Sequence, residues 1–94
     1  MEVKDAFGAA LRLVRLKKKL TQEDFSIVSS RTFVSMLERG ATAPTIEKIE
    51  GLCSVLGIHP TTLLTITYLI KEDALNSREM CMKRLAAELD ELLS

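Results

Sequence analysis

The sequence predicts an all-α protein, a five-helix domain followed by one additional C-terminal helix. Three observations carry this. Apolar residues recur at spacings of three and four along most of the chain, the period of an amphipathic helix. Start and stop residues punctuate that pattern at short intervals: Thr21, Ser29-Ser30 and Pro44-Thr45 at starts, Gly40 and Gly57 at stops. The one stretch rich in strand formers, Thr61 to Ile70, has no second stretch to pair with, so its helical spacing decides.

Composition bounds the answer. The chain has 94 residues and a mass of 10.5 kDa, which is one domain or one small domain plus an extra element. Apolar residues are 47%, enough for a core, and charged residues are 28%, too many for a membrane protein. The uncharged run from 61 to 70 is ten residues long, half of the ~20 that span a bilayer. No basic segment followed by an apolar one opens the chain, so a cytoplasmic protein with reduced thiols is expected. Cys53, Cys81 and the lone His59 lack metal-ligand spacing, so neither a metal centre nor a cofactor is expected. No nucleophile, base and orienting group cluster, and no glycine-rich phosphate loop occurs, which argues against an enzyme. Net charge is zero, which excludes indiscriminate coating of nucleic acid. Yet residues 1–48 carry nine basic and six acidic side chains, and residues 49–94 four and seven. Only the first half suits a polyanion.

Taken in order, residues 4–18 place Phe7, Ala10, Leu11 and Val14 on one helical face. Lys17, Lys18 and Lys19 suit the carbonyl end of that helix, as a solvated terminus or a binding patch. Thr21 caps a short second helix, with Glu23 and Asp24 in its first turn. A third helix follows Ser29-Ser30 and ends at Gly40; Phe33, Val34 and Leu37 face inward, Arg31, Thr32, Ser35 and Met36 outward. Pro44 fits the first turn of a fourth helix, whose inward stripe is Ile46, Ile49, Leu52, Cys53 and Leu56. Cys53 on that stripe reads as a small buried hydrophobe. His59-Pro60 opens the fifth helix, with Leu63, Ile66, Thr67 and Ile70 on one side. The last helix begins near Asn76 or Ser77. Its seam of Leu75, Met82, Leu85, Leu89 and Leu92 is heptad-like and must be covered, by its own domain or by a second copy.

Four motifs stand in a telling order: Leu20-Thr21-Gln22-Glu23-Asp24-Phe25, then Val34-Ser35-Met36-Leu37-Glu38-Arg39-Gly40, then Pro44-Thr45-Ile46, then Leu56-Gly57-Ile58. Together they resemble the lambda-repressor/Cro-like, XRE-type helix-turn-helix regulators over residues 7 to about 64. The resemblance implies a helix-turn-helix DNA-binding domain over 1–70, leaving 71–94 as a C-terminal helix and dimerisation element. Two departures are visible. Between the second and third helices the chain is two residues shorter than is usual in the family and has no glycine, so Ser29 or Ser30 must cap the third helix. Lys19 also replaces a frequent glycine.

The resemblance assigns roles by position. The third helix lies in the major groove, with Ser30, Arg31, Thr32, Ser35 and Met36 as base-contacting candidates. Arg31 heads them, because a guanidinium matches O6 and N7 of guanine; clamping a phosphate is its other role. Thr21, Gln22, Arg39, Thr42 and Thr45 are phosphate-contacting candidates near helix starts and beyond the third helix. The loop Ala41-Thr42-Ala43 lacks basic residues, so a shallow salt dependence is expected. Arg15 and Glu38 match positions that commonly pair. The resemblance thus implies a sequence-specific regulator of transcription, most simply a repressor, acting as a homodimer on a palindromic operator in a bacterial or phage-type cytoplasm. Leu75, Met82, Leu85, Leu89 and Leu92 would form the dimer interface. The competing reading is an antitoxin-type interaction module whose C-terminal helix binds a partner protein.

Overall fold

The computed structural model describes all 94 residues. It contains five α-helices and no strand: α1 Val3–Lys17, α2 Arg31–Glu38, α3 Ile46–Leu56, α4 Pro60–Lys71 and α5 Arg78–Leu93. The Thr61 to Ile70 stretch is therefore helical, as its spacing indicates. α1 is the centre of the packing. Its stripe of Ala6, Phe7, Ala10, Leu11 and Val14 is buried against α4 on one side and α2 on the other. Phe25, Val34, Leu37, Ile49, Leu52, Cys53, Leu56 and Leu63 complete one continuous core. α3 and α4 meet at 103°, and no single helix is long and apolar enough to cross a membrane. Thr67 is buried within α4, and its hydroxyl donates to the Leu63 carbonyl at 2.8 Å, so no polar atom is stranded there.

Local chemistry sets the ends of the helices. Ser30, Thr45 and His59 are N-caps, each accepting a backbone N–H through its side chain. Gly40 follows α2 with φ 72°, and the Ala41 N–H closes back on the Met36 carbonyl at 2.9 Å. α1 closes in the same way, the Leu20 N–H reaching the Arg15 carbonyl at 3.0 Å, but here the left-handed residue is Lys19, at φ 60°. A side chain in that conformation costs about 1–2 kcal/mol.

Three expectations need correction. The second helix is a single 3₁₀ turn, Gln22–Phe25. The Thr21–Asp24 capping box starts it, but only a few residues separate it from the Ser30 cap, and such a short piece takes the tighter i→i+3 form. Pro44 lies outside the helix it was expected to begin, because Thr45 is the cap and Ile46 the first helical residue. Ile46 is 77% exposed instead of joining the core, since that first turn projects past the packed helices. The last helix starts at Arg78 with Ser77 as its cap and Glu79 in its first turn, close to the expected start, after a 3₁₀ turn at Leu75–Ser77.

Two outcomes test this packing. Lys19→Gly relieves the left-handed lysine and should raise unfolding stability by about 1 kcal/mol in a denaturant titration. Burial pushes the Cys53 thiol up, while Cys81 is only half-buried. Cys53 should therefore resist a thiol reagent in the native protein at neutral pH and react only on unfolding.

Candidate nucleic-acid interface

α2 is amphipathic, and its polarity sets its orientation. Val34 and Leu37 are fully buried and pin one side to the core. Arg31 and Thr32 are exposed on the other, with Ser35 and Met36 half-buried beside them. The helix thus presents its N-terminal turn to solvent. Ser30 marks that turn, its Oγ accepting the Phe33 N–H at 3.1 Å, and its own hydroxyl proton remains free to donate.

The connection from the 3₁₀ turn to α2 is made without a left-handed residue. No residue from Phe25 to Arg31 has positive φ. The Ser26 N–H bonds to the Glu23 carbonyl at 3.0 Å, and those of Val28 and Ser29 both bond to the Phe25 carbonyl at 2.9 Å. Lys48 of α3 then reaches across. Its Nζ donates to the Val28 carbonyl at 2.8 Å and lies 5.3 Å from the centre of the Phe33 ring. One lysine therefore ties the turn, α2 and α3 together. Ser29 is buried in this connection, and its Oγ has no partner.

Behind the exposed face lies an ion pair. Arg15 Nε donates to Glu38 Oε2 at 2.6 Å and Nη2 to Oε1 at 2.9 Å, while Nη1 donates to the Leu20 carbonyl at 3.0 Å. Side-chain exposures of 11% and 5% make this a nearly buried two-pronged contact. The Glu38 hydrogen bond, opposed by burial, raises the Arg15 pKa still further, so its charge is permanent. Gln22 joins in, its amide donating to Glu38 Oε1 at 3.2 Å.

Arg15, Thr21, Gln22, Glu23 and Arg31 line an open polar depression of about 420 Å³ between the 3₁₀ turn and α2. Thr21 is committed to its capping box, its N–H donating to Asp24 at 2.7 Å. Arg31 Nη1 donates to Glu23 Oε1 at 3.1 Å.

The geometry is that of two short helical elements joined by a tight turn, with the second displayed. A family profile described as "Helix-turn-helix" matches residues 11–63. The chain belongs to the XRE-type helix-turn-helix family. It is a DNA-binding transcriptional regulator, and the family is not one of enzymes. It is 36% identical over 64 residues to the Control protein C.BamHI of Bacillus amyloliquefaciens, covering 65% of this chain and 79% of that relative. Two crystal structures of the clp gene regulator ClgR from Corynebacterium glutamicum are similar to it. One superposes with a TM-score of 0.68 at 28% identity, covering 72% of this chain and 91% of the other. The second gives 0.71 at 26%, covering 90% of each.

The helix-turn-helix frame locates the remaining candidates. Arg39 is exposed beyond α2, with its Nε turned back to the Ser35 carbonyl at 3.3 Å. Thr45 Oγ1 accepts the Lys48 N–H at 3.0 Å as the α3 cap, and Thr42 is half-buried in the preceding loop. Leu75, Met82, Leu85, Leu89 and Leu92 lie elsewhere, on and just before α5, each between 39% and 77% exposed. Sequence reasoning missed the Glu23–Arg31 pair and the Lys48 brace. Both join elements whose relative placement no periodicity encodes; an isolated basic residue at 48 was the only available signal.

Removing one partner of the inner ion pair leaves a charge in a nearly dry site. Glu38→Ala should cost about 3–5 kcal/mol in equilibrium unfolding. Ser29→Ala, which deletes an unpartnered buried hydroxyl, should be neutral or slightly stabilising in the same assay.

Proposed function

We propose that this regulator is a repressor that binds a palindromic operator as a homodimer, with α2 in the major groove. The observation that carries the reading is the uncovered outer face of α2, where Arg31 and Thr32 are exposed and the Ser30 hydroxyl remains able to donate. In this reading Arg31 takes a guanine and Thr32 or Met36 packs on a thymine methyl, with Ser30 and Ser35 at neighbouring edges. Thr21, Gln22, Arg39, Thr42 and Thr45 meet phosphates on either side. A domain this small covers only a few base pairs, and a second copy doubles the site by placing two recognition helices ~34 Å apart on one face of the duplex.

The dimer reading rests on α5. None of its residues is buried in its own chain, and it makes only slight contact with the rest of the fold. Each leucine fully covered by a partner contributes ~1.5–3 kcal/mol relative to exposure. The outer side of α4 extends the surface, because Leu64 and Tyr68 share an open groove with Met80, Cys81 and Leu85. The 90% match to ClgR necessarily takes in part of α5, so the likeness is not confined to the helix-turn-helix. Glu88, Asp90 and Glu91 keep this end acidic and away from DNA. The relatives, a control protein and a gene regulator, agree with regulation of transcription. A cytoplasmic, nucleoid-associated location follows from that role.

Selection from random duplex DNA tests the reading. It should yield an inverted repeat, and Arg31→Ala should abolish preference at one base pair in each half-site, a loss of about 1–3 kcal/mol. Leu85→Asp combined with Leu89→Asp should give a monomer in sedimentation and lose the operator complex. Absence of duplex binding at low salt, together with a partner protein retained through residues 71–94, would overturn the proposal in favour of the interaction module.

A further inference from the structure

The Glu23–Arg31 pair has no structural work to do. Its side chains are 70% and 68% exposed, and an exposed pair stabilises a fold very little. Its position is more informative. It stands on the rim of the polar depression, on the face that a duplex would approach, where an acidic group repels phosphate.

The charges around the depression cancel. Arg15 is answered by Glu38, and Arg31 by Glu23. Asp24 already accepts the Thr21 N–H at the start of the 3₁₀ turn. A phosphate arriving here meets no uncompensated positive charge. Arg31 is nevertheless not used up. Only its Nη1 is engaged, and its Nε and Nη2 have no partner in the protein. A guanine needs two N–H donors for O6 and N7, and that free edge supplies them.

We propose that Glu23 is a positioning residue for Arg31. It holds the guanidinium by one edge, leaves the other for a guanine, and cancels the pull of the arginine on phosphates. Arg31 then contributes discrimination among sequences more than affinity for any duplex. This rests on the base-contacting role of Arg31 proposed above.

The test compares full-length wild type with Glu23→Gln, Glu23→Asp and Glu23→Gln combined with Arg31→Ala. Each is titrated against its selected duplex and a scrambled one between about 50 and 200 mM salt. Glu23→Gln should bind the scrambled duplex about three- to tenfold more tightly, with a salt slope steeper by about one, and its preference for the selected duplex should fall by a similar factor. Its melting temperature should not move. The added Arg31→Ala should remove the gain on scrambled DNA. Glu23→Asp keeps the charge but shortens the reach, so it should hold scrambled affinity low while losing preference at the guanine. Equal gains on both duplexes would leave Glu23 a plain repulsive charge and overturn the proposal, as would no change on either. A wild type that does not distinguish the two duplexes would overturn the reading of function itself, and this one with it.

Discussion

The register of α2 against α1 depends on one contact at the C-terminal end of α2. Arg15 and Glu38 meet through two N–H···O bonds, and the third donor of Arg15 takes the carbonyl just past the end of α1. A buried ion pair is a poor source of net stability, because desolvation opposes the attraction. It is a source of geometry, since a two-pronged contact between a planar guanidinium and a carboxylate holds both groups in one plane. The close approach beneath it has a separate cause. A Cβ on Gly8 would collide with the carbonyl oxygens of Leu37 and Glu38, so α1 and α2 cross at backbone contact. Missing side-chain volume sets the distance, and the ion pair sets the register. Gln22 extends the same carboxylate to the 3₁₀ turn. The displayed face of α2 is thus held by atoms that do not themselves lie on it.

The connection preceding α2 shows how a short turn survives without glycine. A left-handed glycine reverses the chain within one residue. Here the reversal is spread over several residues of 3₁₀-like backbone, and Lys48 answers a carbonyl that the irregular ladder leaves open. The cost is visible at Ser29, a hydroxyl buried without a partner. Tightening has moved the constraint from the turn's own sequence to a lysine some twenty residues away.

That displacement explains what could be read from the sequence. The buried stripe of α1 and most of that of α3 follow from spacing alone, since burial repeats with the helical period. In α4 spacing finds Leu63 and Thr67 but misses the buried Leu69, while Ile66 and Ile70 are only half-buried. The ends at Thr21, Gly40 and Gly57 follow from local residue chemistry, which acts within three or four residues. Arg15 with Glu38 was accessible only through family resemblance, because 23 positions separate them and nothing local links the two. Glu23 with Arg31, and Lys48 with Val28, had neither kind of support. Ile46 failed for a related reason. A helix continues its period to its first turn, but the core beneath it does not extend that far, so the same spacing yields 77% exposure there and burial at Ile49.

The C-terminal helix raises a different question, because the core closes without it. α5 buries no residue, while every large side chain of the main core lies between Phe7 and Leu63. On the proposed dimer, the stabilisation of its seam depends on concentration, and assembly and operator occupancy are linked by mass action. A monomer offers one reading helix with little charge behind it, since the loop 41–43 is uncharged and the polar depression is neutralised by its own carboxylates. Weak half-site binding combined with weak self-association makes occupancy rise more steeply than protein concentration. On that proposal the regulator responds to its own abundance through the seam and the displayed face of α2.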